Sequence, residues 1–322
     1  MLDGSRSDKN GPPSRPGPES DGEDNNDGQV QTRNTERKTL PRNENRRRGR
    51  KTMGAAADTG YLLPIDSKEQ DRLDAQHELF LAVMEGKLGL APVIEPRRTL
   101  DVATGTGIWA KQYATSSDIQ RPYSLPNLIF HKADAETEAW PCDTHHKYDY
   151  VYLRYVISCF DSTQTVFRRA FENLAPGGWI EIFDPCHVVM PVGRLRTGTA
   201  LGKWTSLTNE GSCRVSRDLK RFRCYAGWLR DAGFVNVTET KFAIPCHAPA
   251  LTADERMRGL CEKVVRNELS LIDSLSKFLR NVVADEEEAR AIEEAAKTDI
   301  QNPDTIMVKE MYNVYAQKPE DA

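Results

Sequence analysis

Apolar positions recur with a helical period from Asp66 onward, where Leu73, His77, Phe80, Leu81 and Met84 fall three or four residues apart. Ser67 followed by Gln70 has the form of a capping box, and Gly86 and Pro92 close this first helix. The run Arg97–Ala103 reads as a short strand. It passes into Thr104-Gly105-Thr106-Gly107, and residues 108–114 are helical again. Leu128–Asp134 reads as a second strand with Pro126 at its entry, and Tyr148–Leu153 as a third. Val166, Phe167, Ala170, Phe171 and Leu174 mark an amphipathic helix over 163–174, and Pro176-Gly177-Gly178 breaks it before a fourth strand, Trp179–Asp184.

Residues 185–218 have no clear period and read as a long excursion or a substrate-facing lid. A helix around Arg221–Ala232, a strand over Val235–Ile244, helices over 252–297 and a last strand over Met307–Gln317 complete the pattern. Strands alternating with helices predict an α/β domain with a mainly parallel sheet. Two late strands predict an antiparallel hairpin at one edge of it.

Composition divides the chain. All ten Phe, ten Tyr, five Trp, seven Cys and six His lie from Tyr61 onward. The first 60 residues carry almost no large apolar groups and cannot offset a loss of about 1–2 kcal/mol per ordered residue. We therefore expect a disordered tail over 1–60 and one folded domain over 61–318. No apolar run reaches the roughly 18 residues of a membrane span, and mean hydropathy is -0.61. The polar sequence after Met1-Leu2 gives no secretory signal.

The cysteines are odd in number and form no C-x-x-C, so reduced thiols are expected rather than a disulfide framework. Cys142 near His145 and His146 is half of a zinc pattern without a second half, and no metal is expected. The formal net charge of -4 hides a basic run, Arg46-Arg47-Arg48-Gly49-Arg50-Lys51, inside the tail. Such a run fits nuclear import or plain solubility. Without interleaved aromatic residues it does not predict sequence-specific nucleic-acid binding. The expected location is nucleus or cytoplasm.

The strand–turn–helix at Asp101-Val102-Ala103-Thr104-Gly105-Thr106-Gly107 brings backbone and the unpaired amides of a helix start close to a ligand. Alone it fits several nucleotide binders, or a tight turn with no ligand. Three segments extend it: Asp101 to Ala110, Tyr148-Asp149-Tyr150-Val151-Tyr152-Leu153-Arg154, and Leu174-Ala175-Pro176-Gly177-Gly178-Trp179-Ile180-Glu181. Together with the leading helix Glu69–Phe80 and with Trp228–Val237, this pattern closely resembles the fungal LaeA-like (UMTA-type) methyltransferases.

The resemblance spans about residues 61–318. It implies a Rossmann-like class I methyltransferase fold, strand order 3-2-1-4-5-7-6, with S-adenosylmethionine as cofactor. It also implies a role in fungal secondary metabolism, on a small-molecule methyl acceptor or as a regulator with a protein partner, and no membrane.

Carried over by position, Gly105 and Gly107 would pass under the methionine part of the cofactor, and Asp101 would order the loop. Asp134 would accept from the adenine amino group. Arg72, Gln76 and His77 would close over the cofactor, although His77 on an apolar stripe fits a packed histidine better. Asp149 fits a structural role as well as a ligand contact.

Two positions depart from the pattern. Ala103 replaces the loop's first glycine. The strand and acidic residue normally found about 20 positions on, for the ribose hydroxyls, have no room between Ala114 and Pro122, where Asp118 is the only carboxylate. The second strand is thus expected to be missing. A second reading follows from this: a catalytically impaired methyltransferase fold acting as a regulatory binding partner. No base is fixed by the sequence. His187 and Glu181, near the end of the fourth strand, are the candidates, against a plain loop histidine and an ordinary strand residue.

Overall fold

Three parallel strands make the centre of the sheet, and antiparallel strands extend it on one side. β1 (Thr99–Val102), β2 (Tyr148–Arg154) and β3 (Leu174–Pro185) run parallel, with Val102 opposite Leu153 and Arg154 opposite Phe183. β6 (Met307–Gln317) lies antiparallel to β3, and β5 (Val235–Pro245) lies antiparallel to β6. The two-residue β4 (Met190–Pro191) continues the line of β3 against the start of β6. The computed structural model describes residues 63–64, 66–115, 127–142, 146–187, 190–191, 198–245, 254–305 and 307–322. The expected tail over 1–60 and Asp118 lie outside the described residues.

The order β1-β2-β3-β6-β5 is the 1-4-5-7-6 part of the expected 3-2-1-4-5-7-6 arrangement. The 3-2 part is not found among the described residues. Leu128–Asp134, expected as a strand, forms none: Ile129 and Phe130 are 73% and 55% exposed, and only Leu128 packs inward. A strand needs a ladder to join, and no strand pairs with the outer edge of β1 among the described residues.

Burial explains why β2 sits centrally. Val151, Tyr152 and Leu153 are fully buried, as expected for a parallel strand covered on both faces. On one face the Trp109 ring of α2 (Ile108–Thr115) stacks on Tyr152 with centroids 4.0 Å apart. The other face joins the main core through Val151, Leu153, Ile180 and Ile182. Polar Thr238, Glu239, Thr240 and Lys241 mark β5 as an edge strand.

The first helix, α1 (Ser67–Val83), is capped by Asp66, whose carboxylate accepts from the Glu69 amide at 2.9 Å. The cap is thus one residue earlier than the expected Ser67. α3 (Thr163–Asn173) starts at a Ser162 cap and runs directly into β3. Pro176-Gly177-Gly178 ends the helix but not the ladder: Gly177 (φ +77°) and Gly178 exchange backbone hydrogen bonds with Lys318.

The stretch 185–218, expected as an excursion or lid, contains a helix instead. α4 (Ala200–Cys213) packs against α7 (Ser276–Arg280) and α8 (Glu286–Gln301). At Gly211 an added Cβ would sit 1.8 Å from the Phe278 carbonyl, so the helices meet backbone to backbone. α5 (Tyr225–Asp231) precedes β5, and α6 (Glu255–Ser274) lies beside α1.

Candidate active site

The ends of β1, β2 and β3 open side by side, and α1 lies over them. After Val102 the chain turns through Ala103, Thr104, Gly105, Thr106 and Gly107 before α2. Gly105 and Gly107 have φ of +60° and +74°, which glycine adopts without penalty. Ala103 takes +58° as well, so the residue replacing the usual glycine keeps the glycine conformation at a steric cost. The Gly107 amide donates to Thr104 O at 3.0 Å, closing the turn. Thr104 Oγ1 donates to Asp101 Oδ2 at 2.6 Å. Burial pushes the Asp101 carboxyl up to about 6, against the opposing pull of the Thr104 hydroxyl and the Arg154 guanidinium.

α1 is pinned to this loop. Thr106 Oγ1 donates to Asp74 Oδ1 at 2.6 Å, and the Leu73 side chain lies 3.7 Å from where a Cβ on Gly105 would stand. One turn on, Arg154 Nη1 donates to His77 Nδ1 at 2.6 Å, which leaves Nε2–H to donate to Gln112 Oε1 at 2.5 Å. Burial, and then Arg154, hold the His77 pKa below its ordinary value. His77 is therefore a neutral, fully partnered link between α1, α2 and β2, the packed histidine of the two sequence readings.

Arg72 and Gln76 face the other way. Arg72 makes a two-pronged pair with Glu69 (2.8 and 2.6 Å), and Gln76 donates to Asn267 of α6 at 3.2 Å. Both residues, which the resemblance has closing over the cofactor, are thus engaged with Glu69 and with α6. Their spacing on α1 from Leu73 and His77 turns them toward α6.

The remaining candidates separate cleanly. Asp134 is exposed and stands at no strand end. Its carboxylate accepts from the Glu136 amide and the Thr137 hydroxyl in its own turn, and that hydroxyl holds its pKa below the usual carboxylate value. Phe130, four residues earlier, lays its ring where a side chain on Gly107 would stand. Asp149 accepts from the amides of Arg97 and Arg98 and fixes the approach to β1, a structural role.

Glu181 is fully buried and accepts from Leu90 N, Ala91 N, Tyr150 Oη and Asn313 Nδ2. Its oxygens are taken, so it anchors residues 88–91 and is not placed to act as a base. Asp184 at the end of β3 accepts from Val156 N at 2.7 Å and Tyr225 Oη at 2.7 Å.

His187, the other candidate base, is 4% exposed, and among the described residues neither ring nitrogen has a hydrogen-bond partner. Its ring meets Tyr155 edge-on at 5.6 Å. Sequence reasoning missed the residues that organise this centre from a distance: Asp74, Thr106 and Arg154 beside the loop, and Lys309 and Glu268 beside His187. Polar residues inside apolar runs were the available signal, most plainly Lys309 in β6.

The glycine loop, the helix start behind it and α1 above it fit the methionine end of S-adenosylmethionine, because Gly105 and Gly107 put no side chain in the turn and a helix start presents amides to a carboxylate. No carboxylate among the described residues stands at a strand beyond β1 for the ribose.

Residues 75–239 match the family described as a methyltransferase domain. The chain is 25% identical to the methyltransferase pytC of Aspergillus terreus over 84% of this chain and 87% of that protein. It is 28% identical to the probable methyltransferase tdiE of Emericella nidulans over 78% and 82%. It is 30% identical to the protein-methionine methyltransferase laeA of Emericella nidulans over 58% and 53%. A solved Haemonchus contortus phosphoethanolamine N-methyltransferase 2 in complex with S-adenosyl-L-methionine aligns at TM-score 0.42 and 17% identity, covering 78% of this chain and 57% of that one. With the family match running from α1 into β5, across the loop and all three parallel strands, the chain belongs to the methyltransferase-domain family.

Proposed function

We propose that this protein is an S-adenosylmethionine-dependent methyltransferase of fungal secondary metabolism that modifies a small molecule. The observation that carries the reading is the Gly105–Gly107 turn, both glycines at positive φ, with α1 pinned over it by Asp74 and Leu73. The names of the relatives pytC and tdiE support it. The cofactor supplies a methyl group on a positively charged sulfur. The chain's part is to hold that end on the loop, order it through Asp101, and shut out water beneath α1.

A thermal-shift series tests this. S-adenosylmethionine should raise the melting temperature of the wild-type chain, and Gly105→Val should fold normally without responding. A Gly105→Val variant that responds like wild type would remove the loop assignment.

The second reading is a catalytically impaired methyltransferase fold acting as a regulatory binding partner; relatives named secondary metabolism regulator laeA, from Emericella nidulans and Fusarium oxysporum, support the regulatory part. It draws on the outer edge of β1, with which no strand pairs among the described residues, and on the basic run at Arg46–Lys51, which we propose directs nuclear entry. A fusion large enough to be excluded by size should enter nuclei, and alanine at the basic positions should keep it out. Deleting the gene separates the two readings. Loss of one methylated metabolite supports the enzyme, and broad loss of metabolite classes supports the regulator.

A further inference from the structure

Arg217 is buried, charged and under-partnered. It follows α4, whose last turn holds its amide at Ser212 O (2.9 Å), and it is 6% exposed. Arg221, four residues on, is the contrast. Also 6% exposed, it donates from Nε to Asp218 O at 3.1 Å, from Nη1 to Phe160 O at 2.7 Å and Thr163 Oγ1 at 3.1 Å, and from Nη2 to Ser216 O at 2.6 Å. Arg221 thereby ties the loop after β2 to the loop after α4. Arg217 adds nothing to that tie: among the described residues its Nε and Nη1 have no hydrogen-bond partner.

Its ion-pair partner among the described residues is Asp161, with Oδ1 2.9 Å from Nη2. The Asp161 side chain is 72% exposed and hydrated, while that of Arg217 is 7% exposed and is not. Nη2 belongs to both two-pronged edges of a guanidinium, and either edge can take both oxygens of one carboxylate. Asp161 meets the shared nitrogen with one oxygen and leaves the second donor of each edge idle. A buried charge short of its hydrogen bonds weakens a fold, and a ligand that completes them accounts for its presence.

The position suits a ligand. The loop carrying Asp161 leaves the carboxyl end of β2, and α4 follows β3. Burial pushes the Cys159 thiol up to about 12, with Asp184 of β3 acting in the same direction and Arg217 and Arg221 against it, so the guanidinium lies near the ends of both strands. Ligands of open α/β sheets bind at such strand ends. Asp184 is engaged by Val156 N and the Tyr225 hydroxyl. On α4, Lys203 pairs with Glu288 and Gly211 meets Phe278. Thr205 and Thr208, on the flank away from Lys203, have buried hydroxyls with no partner among the described residues. One turn beyond Thr208 is Ser212, whose carbonyl holds Arg217.

We propose that Arg217 receives a carboxylate group of the methyl acceptor, and that Asp161 is the gate this acid displaces. The identity of the ligand as the methyl acceptor rests on the methyltransferase reading above. The incoming carboxylate takes both donors of one guanidinium edge, and Asp161, already largely in water, turns out into solvent. Thr205 and Thr208 continue the polar flank for the rest of the molecule. Acids are thus selected over their esters and amides, which cannot replace Asp161.

The test uses the full chain, with 4-hydroxybenzoate as probe and its methyl ester as the uncharged counterpart, and reads binding by calorimetry. Wild type should bind the acid at least about tenfold more tightly than the ester. Arg217→Lys keeps the charge but not the two-pronged edge and should weaken acid binding at least about tenfold. Asp161→Asn removes the competing carboxylate and should tighten it by about two- to fivefold. Arg217→Met should abolish acid binding and yet raise the melting temperature by about 2–4 °C, because it removes an under-partnered charge from the interior.

No binding of the acid by wild type, equal binding of acid and ester, or unchanged acid binding in Arg217→Lys would overturn the proposal. So would a loss of stability in Arg217→Met together with no effect of Asp161→Asn on the probe, which would mark a purely structural arginine. S-adenosylhomocysteine binding, followed in parallel, should be equal in all four proteins. Its absence from wild type would count against the methyltransferase reading and leave the acid and ester titrations to decide Arg217 by themselves.

Discussion

Ala103 carries the most informative departure at the residue scale. Its φ of +58° places a methyl group in the left-handed region, at a cost of about 1–2 kcal/mol. Ala103→Gly relieves that cost and gives back about 0.4–1 kcal/mol through the freer unfolded chain. The expected result is a net gain of up to about 1 kcal/mol in urea unfolding, and a loss of stability would mean the loop is built differently. Asp184 sets a pH dependence. Burial raises its folded pKa to about 6 from 3.8, so the folded state holds a proton that the unfolded chain has already released. Stability from this group is therefore fullest below about pH 4, falls as pH rises toward 6, and is level beyond. Asp184→Asn should flatten that fall by roughly 2–3 kcal/mol between pH 4 and 7. Unfolding curves at four pH values would show an unchanged slope if the carboxyl were not protonated.

Elements are held in place here by single buried side chains. Glu181 gathers the amides of Leu90 and Ala91, the Tyr150 hydroxyl and the Asn313 amide, tying the segment after α1 to the middle of the sheet. Glu181→Ala should cost at least about 3 kcal/mol, since several donors lose their acceptor at once. Glu181→Gln should cost less and leave cofactor binding intact; a Gln variant that folds but binds nothing would restore a role in chemistry. The parallel strands, the glycine turn, α1 and the late hairpin were legible because each carries a strong apolar period or a glycine signature. α4 was not. Its apolar stripe is thinned by Gly211, which packs closely only because it lacks a side chain, and by the polar residues Lys203, Asn209 and Glu210. Leu128–Asp134 misled in the opposite direction: its composition is strand-like, but among the described residues it pairs with no strand, and pairing is a property of neighbours rather than of the segment.

Across the whole molecule, α1 joins the glycine loop, through Asp74, to the buried polar groups around His187, through Arg72 and Tyr155. The sequence marked the loop through residue type and spacing. It could mark His187 only as a loop histidine, because the groups that define its setting lie far along the chain at Arg72, Glu268 and Lys309. That no strand pairs with the outer edge of β1 among the described residues bears on strength rather than on kind. A missing charge-assisted contact to the ribose is worth about 1.5–3 kcal/mol, or roughly ten- to a hundred-fold in affinity. Isothermal calorimetry of S-adenosylmethionine with this chain, its Gly105→Val variant and pytC, side by side, tests the central claim most directly. The account predicts saturable one-to-one binding that is ten- to a hundred-fold weaker than that of pytC and absent from the variant. No heat of binding from the folded wild-type chain, or equal binding by Gly105→Val, would contradict it.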